Sequence, residues 1–102
     1  MASEDGLPSE IFLDQNYPNP FNPSTIIRFG VPGESRVRLE VFTILGERVA
    51  TLVDGTMGAG IYSVTFNVER GAGGVAAGSS GIYFYRLSVG ADVRTRKMLI
   101  LK

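Results

Sequence analysis

The sequence predicts an all-β fold, a seven-stranded antiparallel immunoglobulin-like sandwich without a disulfide. Thirteen glycines divide the 102 residues into short runs rich in Val, Ile, Thr, Tyr and Phe, and the chain has no cysteine. No window of about eleven residues keeps a helical apolar period without meeting glycine, proline or an apolar-polar alternation. Seven such runs at this spacing are typical of the sandwich class.

The first three strands are predicted from apolar residues that alternate with polar ones. Residues 11–14 form a short run, and residues 25–31 place apolar side chains on either side of Arg28 and Gly30. Residues 36–43 give the clearest alternation, as expected for a sheet with one buried and one solvated face. The two faces of this third strand carry Val37, Leu39 and Val41 against Arg36, Arg38 and Glu40.

The fourth and fifth strands are bounded by turns that contain glycine. Residues 44–47, Ile-Leu-Gly-Glu, turn the chain so that residues 48–53 return as an antiparallel hairpin partner. Asp54 and Gly55 are predicted to begin the next turn. Residues 60–68 alternate again, and their apolar face consists of Tyr62, Val64, Phe66 and Val68.

The last two strands are predicted over residues 81–89 and 93–102. The first is apolar on both faces, as an inner strand would be, and the second ends in the apolar run 98–101. That run is far shorter than the roughly 20 residues that span a bilayer, so no membrane span is predicted. An open sheet edge with an apolar strand could pair two copies of the chain, which predicts an edge-strand homodimer.

Two segments do not read as strands. Residues 16–24 contain three X-Pro bonds, which remove ladder donors and predict a stiff connector outside the sheets. We expect Tyr17 and Phe21 to pack down as anchors, and Asn16, Asn19 and Asn22 to cap backbone groups through Asx turns. Residues 70–80 have small side chains after the arginine and predict a mobile excursion between two strands.

The composition excludes most site chemistry. The chain has no Cys, His or Trp, which removes thiolate nucleophiles, the usual zinc sites and every imidazole-based triad. The acidic side chains are scattered over turns and solvated faces, and no two of them form a pair in an apolar surrounding of the kind that general-acid catalysis needs. We therefore predict no enzymatic activity, no cofactor and no metal site.

The formal net charge of zero conceals two opposite halves. Residues 1–69 carry four arginines against nine acidic side chains, a net charge of −5, and residues 70–102 carry six basic side chains against Asp92, a net charge of +5. The neutral total argues against nucleic acid as a partner. The asymmetry indicates either an interaction region at the basic end or charge pairing across strands.

A binding function is a second interpretation, which rests on three consecutive aromatic residues, Tyr83, Phe84 and Tyr85. Since strand side chains alternate between faces, at least one of these rings faces away from the others. An exposed ring could form a stacking platform, as in an Ig-like adhesion or carbohydrate-binding module of a surface protein. The competing interpretation is an inner strand that is packed on both faces.

Four ordered segments resemble a known module: residues 16–25, 41–49, 81–87 and 96–102. Together they are similar to the C-terminal sorting domain of type IX secretion cargo, the Por secretion tail family, and less closely to the Ig-like C-terminal module of flagellar hook-capping proteins. The motif positions are Asn16, Tyr17, Pro18, Asn19, Pro20, Phe21, Leu45 and Gly46. The loop at residues 70–80 is longer than is usual in the family.

The resemblance implies that residues 11–102 are a non-catalytic sorting domain, with residues 1–10 as a linker remnant that carries no export signal. The implied partners are a parent cargo domain upstream, the outer-membrane translocon and a sortase-like peptidase. The implied route runs through the periplasm of a member of the Bacteroidota to the outer-membrane surface or the medium. Translocon recognition is carried over onto Gly81, Tyr83, Arg86, Lys97, Met98 and Lys102.

Overall fold

A computed structural model describes residues 7–21, 23–67 and 81–101, and shows two packed antiparallel sheets. The described part of the chain contains seven strands and no helix, and measures 42 × 22 × 20 Å. The predicted all-β sandwich is therefore confirmed. The strands are β1 (Phe12–Leu13), β2 (Ser24–Val31), β3 (Ser35–Thr43), β4 (Arg48–Met57), β5 (Gly60–Asn67), β6 (Gly81–Val89) and β7 (Asp92–Ile100).

The sheets have the strand orders β1-β2-β5 and β4-β3-β6-β7. Since neighbouring strands are antiparallel, β3 ends beside the start of β6, where Thr43 pairs with Tyr83. The end of β7 lies at the same place, because Gly81 pairs with Ile100. We call this the hairpin end of the sandwich. The strand β1 begins at the opposite end, where Phe12 pairs with Gly30 near the end of β2.

The core lies between the two sheets and is built from the alternating apolar positions. The inward side chains of β2, β3 and β6 are almost all fully buried, and each contributes about 1.5–3 kcal/mol of transfer free energy. Phe29 stacks on Tyr62 at a ring-centroid distance of 5.6 Å, which joins β2 to β5. The alternation in β5 is confirmed through Phe66, and the predicted Val68 and the loop at residues 70–80 lie outside the described residues.

The fourth strand is longer than predicted, because Asp54 and Gly55 continue it and do not begin a turn. Asp54 lies opposite Arg38 and forms ion pairs with Arg36 at 2.5 Å and with Arg38 at 3.7 Å. These two cross-strand charges favour an extended backbone at a position where Asp-Gly alone favours a turn. β4 then continues in register with β3 to Met57, and its two register shifts against β3 lie before Asp54.

The outer face of the three-stranded sheet has one close backbone approach, at Gly30. The Phe12 ring occupies the space that a Cβ on Gly30 would need, so a larger residue there would displace the ring. The guanidinium of Arg28 lies over the same ring, 5.3 Å from its centroid, and donates to Asp14 at 2.9 Å. These contacts hold the two-residue strand β1 in place.

The proline-rich connector between β1 and β2 lies outside the main ladders, as predicted, and it crosses from one sheet to the other. Its peptide bonds Tyr17-Pro18 and Asn19-Pro20 are cis. Phe21 is buried against Phe66 with ring centroids 6.1 Å apart, so its predicted role as an anchor is confirmed. Its backbone forms a parallel bridge with Ile100 of β7.

The prediction that Tyr17 packs down is wrong, because its side chain is 79% exposed. Tyr17 exchanges two backbone hydrogen bonds with Ile26, at 3.0 and 2.9 Å. Residues paired in this way project to the same side of a sheet, and Ile26 points outward between two buried neighbours in β2. The pairing that fixes the connector therefore directs Tyr17 to solvent.

Two of the three asparagines bind backbone groups, but neither does so through the predicted Asx turn. The amide of Asn16 donates to the carbonyl of Pro18 at 3.2 Å and to the Thr25 hydroxyl at 3.0 Å. Asn19 accepts from the backbone N–H of Leu99 at 2.9 Å, which is a contact to β7 and not a local Asx turn. Asn22 lies outside the described residues.

The hydroxyl of Tyr85 fastens the connector to the core. It donates to the carbonyl of Asp14 at 2.7 Å and accepts from the backbone N–H of Asn16 at 2.8 Å. The ring is fully buried, and this burial raises the pKa of the phenol above its ordinary value of 10.0, against the smaller opposing effect of the Asn16 hydrogen bond. One side chain therefore satisfies two backbone groups at the start of the connector.

Replacing Tyr85 with Phe should lower the free energy of unfolding by about 2 kcal/mol, since a buried donor and an acceptor lose their partner. Tyr83→Phe is the matched control, because it removes the hydroxyl of a second buried tyrosine on the same face of β6 and leaves the contacts to Asp14 and Asn16 intact. Urea denaturation of both variants measures the difference. Equal stabilities would contradict the role given to the Tyr85 hydroxyl.

The Tyr85 hydroxyl should also make the free energy of unfolding fall at alkaline pH. The pKa of Tyr85 is raised on folding, so its contribution is complete below pH 10.0 and is lost as pH rises toward the folded-state pKa. Above pH 10 the unfolding free energy should fall with an added slope of at most about 1.4 kcal/mol per pH unit. Denaturation from pH 9 to 11 should show a shallower slope in Tyr85→Phe, and parallel slopes would refute this linkage.

Candidate functional site

Five of the six residues predicted to carry recognition lie on the β6–β7 hairpin, but they do not share one surface. Tyr83 and Met98 are cross-strand partners that face the core, and both are buried. Arg86 and Lys97 point to the outer face of the four-stranded sheet. Gly81 begins β6 with a φ of +146°, and Lys102 lies outside the described residues.

Arg86 belongs to an ion cluster on that outer face. Its guanidinium lies 4.6 Å from the centroid of the Phe42 ring and 3.3 Å from a carboxylate oxygen of Glu40. The second oxygen of Glu40 is 3.1 Å from Arg48. The sequence places Glu40 on a solvated face, yet its side chain is only 3% exposed, because the two arginines cover it.

The cluster joins the acidic and basic halves of the chain at one point only within the described residues, through Glu40 and Arg86. The other ion pairs lie within the acidic half. Arg94, Arg96 and Lys97 have no acidic partner within 4 Å in the described part of the molecule. Pairing across strands thus accounts for a small part of the charge asymmetry, and β7 keeps unneutralised positive charge.

Lys97 lies beside a shallow groove at the hairpin end of the sandwich. The groove has a volume of about 210 Å³ and is bordered mainly by apolar atoms. Its floor and walls are formed by Asn19, Ile82, Lys97, Met98 and Leu99. The groove therefore has a mainly apolar lining that includes one basic residue, Lys97.

The connector covers the edge of β7 next to this groove. Phe21 donates its N–H to the carbonyl of Leu99 at 3.0 Å and accepts from the N–H of Leu101 at 2.9 Å. The side chain of Gln15 donates to the carbonyl of Lys97 at 2.6 Å. A second copy could not pair with this stretch, so the apolar run 98–101 gives no basis for the predicted edge-strand homodimer.

The consecutive aromatic residues of β6 offer little to a carbohydrate ring. Tyr83 and Tyr85 face the core, and Phe84 alone points outward. Phe84 is half-buried and lies between Phe42 on β3 and Lys97 on β7. The packed inner strand is therefore the interpretation that the structure favours over a stacking platform.

The turn between β3 and β4 is present as predicted, and it exposes two large apolar side chains. Gly46 serves it as predicted, since its φ of +89° is in the left-handed region that favours glycine. Leu45 is 88% exposed and Ile44 is 66% exposed, so neither packs into the fold. Sequence reasoning missed this surface, although two large apolar residues in a turn, where polar residues are usual, were a signal for it.

In the part of the chain that the structure describes, no three acidic side chains come close enough to hold a metal ion together. Nor does that part contain a helix long and apolar enough to cross a membrane.

Substitutions of Arg48 and Arg86, the two arginines around Glu40, should have non-additive effects on the free energy of unfolding. Arg48→Met or Arg86→Met alone should cost less than about 1 kcal/mol, since Glu40 keeps one partner. The double variant should lose about 1–2 kcal/mol more than the sum of the two single losses, because the buried carboxylate of Glu40 then has neither arginine partner.

The control for this cycle is the exposed carboxylate of Asp54, which also has two arginine partners. Arg36→Met and Arg38→Met should combine additively, because water solvates Asp54 when both are lost. Denaturant titrations of the two cycles provide the comparison. An additive result at Glu40 would show that its burial does not couple the two guanidinium groups.

The comparison with protein families matches residues 15–101 to the secretion system C-terminal sorting domain. No curated protein and no solved structure matches the chain significantly. The matched region begins after β1 and covers the connector, the β3–β4 turn and the β6–β7 hairpin. On this match, which spans most of the sequence, the chain belongs to the family of secretion system C-terminal sorting domains.

Proposed function

We propose that this domain directs a cargo protein attached upstream of it through the type IX secretion translocon to the cell surface or the medium. The family match over residues 15–101 is the observation that carries the proposal. The route passes through the periplasm, where the translocon recognises the folded domain. Residues 1–10 act as the linker to the cargo, and a sortase-like peptidase releases the domain after transport.

The six residues assigned to recognition divide into two roles. Arg86 and Lys97 are exposed on the outer face of one sheet and act as contact residues, together with Lys102. Tyr83 and Met98 are buried partners across the β6–β7 ladder, so they act by positioning that hairpin. Gly81 supports the same hairpin through a backbone conformation that few other residues adopt.

The domain performs this role without chemistry of its own. The chain has no His or Cys, and the described carboxylates lie apart or are paired with arginines. Binding alone is enough for a sorting signal, since the translocon supplies the transport machinery. A carbohydrate-binding role is not favoured, because the tyrosines that would form its platform face the core.

The sorting proposal is tested with a reporter enzyme that carries a secretory signal peptide and is fused upstream of the chain. In a type IX-competent bacterium the reporter should reach the medium or cell surface, and in a translocon-deleted strain it should stay in the periplasm. The same reporter without the domain is the control. Equal export with and without the domain would refute the proposal.

Charge reversal at Lys97 should reduce this export without unfolding the domain. Lys97→Glu changes an exposed side chain with no acidic partner within 4 Å in the described chain, and it leaves the buried residues of β7 intact. Arg94→Glu, on the same strand and likewise without such a partner, is the matched control. We expect a drop of about tenfold in the secreted fraction for Lys97→Glu alone. Equal loss in both variants would instead indicate a general dependence on positive charge.

A further inference from the structure

The tip of the β3–β4 hairpin presents two large apolar side chains to solvent. Ile44 and Leu45 follow Thr43 at the end of β3, and Leu45 has the highest exposed fraction among the large apolar residues described. Leaving such side chains in water brings no folding free energy. Their presence at this position therefore calls for an explanation outside the fold.

The turn itself is held by other residues. Thr43 donates its N–H to the carbonyl of Glu47 at 2.8 Å, and Gly46 donates to the carbonyl of Thr43 at 2.9 Å. The hydroxyl of Thr43 also accepts from the N–H groups of Leu45 and Glu47, both at 3.2 Å. Polar residues at positions 44 and 45 would suit the same turn, so the fold does not require apolar ones.

An apolar surface with basic flanks lies directly behind the tip. The first row of outward side chains across the sheet runs from Arg48 through Phe42 and Phe84 to Lys97. With strands about 4.8 Å apart, the two basic residues stand roughly 14 Å from each other. Lys97 has no acidic partner within 4 Å in the described chain, so its charge is available to a binding partner.

The tip stays accessible when a cargo protein is attached. It lies at the hairpin end of the sandwich, where β6 begins and β7 ends. The chain enters β1 at the opposite end, because Phe12 pairs with Gly30. The chain therefore enters the sandwich at the end away from Ile44 and Leu45.

We infer that Ile44 and Leu45 form an anchor that inserts into an apolar pocket with an acidic rim on a protein of the translocon. The inference rests on the proposed sorting function and names the surface that performs it. A rigid turn presents the anchor at little cost in conformational entropy, and apolar anchors of this kind dominate binding energy at interfaces. Lys97 lies where its unpaired charge complements an acidic rim, whereas Arg48 shares its charge with Glu40.

The test uses the same reporter fusion with the double substitution Ile44→Thr/Leu45→Thr. The matched control is Ile61→Thr/Val93→Thr, which removes two exposed apolar side chains at the opposite end of the sandwich. The anchor variant should lower the secreted fraction by about tenfold or more, with an unchanged melting temperature. The control should be exported like the parent, and Leu45→Met should retain most of the export because it preserves apolar volume.

The outcomes separate this inference from the sorting function. If the parent fusion is not exported, the sorting function fails. If the parent and the anchor variant are exported equally, the anchor is refuted and the sorting function stands. Equal loss in the anchor variant and its control also refutes the anchor, since any exposed apolar residue would then have the same effect.

Measurements on the purified chain detect two alternative partners of the anchor, a second copy of the chain and the rest of its own chain. A dimer in sedimentation equilibrium that the anchor substitutions convert to a monomer would identify a second copy as the partner. A marked fall in the melting temperature of the anchor variant would show that the tip packs against its own chain. Either result overturns the assignment to the translocon.

Discussion

The hydroxyl of Tyr85 is the contact on which the connector depends. It binds the carbonyl of Asp14 and the N–H of Asn16, so the chain leaving β1 is fixed before it turns toward the second sheet. From there Asn19 and Phe21 reach the edge of β7 and satisfy backbone groups that would otherwise face solvent. The two sheets are thus joined by backbone hydrogen bonds as well as by the apolar core, and the most apolar part of an edge strand is protected from foreign strands.

The outer face of the four-stranded sheet carries both charges that stabilise the fold and a charge that can contact a partner. Glu40 is buried between Arg48 and Arg86, and the latter also covers the ring of Phe42. A carboxylate in that position needs both guanidinium groups, which limits how freely Arg86 can serve a partner. Lys97 lies two strands from Glu40 and forms no ion pair within the described chain. Arg48 and Arg86 on this face are therefore paired with Glu40, whereas the charge of Lys97 is unpaired within the described residues.

Apolar alternation predicted the strands well, since it reports directly which face of a strand is buried. The turn preference of Asp-Gly was misleading at Asp54 and Gly55, where cross-strand arginines favour an extended backbone. Apolar alternation could not place Tyr17, because the direction of that side chain depends on a backbone pairing with Ile26. Nor could the family motifs separate Met98, which fills the core, from Lys97 beside it. Neighbours in sequence point to opposite faces of a strand, and only the register decides which is which.

The pairing of Phe21 with Ile100 joins the first quarter of the chain to its last strand. A polypeptide that lacks β7 cannot cover Phe21, complete the Tyr83–Met98 pair or present Lys97. Contacts between residues so distant in sequence form only after the whole domain has been synthesised. The surface that we propose for sorting therefore exists only on chains that have been translated through β7, and a chain truncated before this strand would not present it.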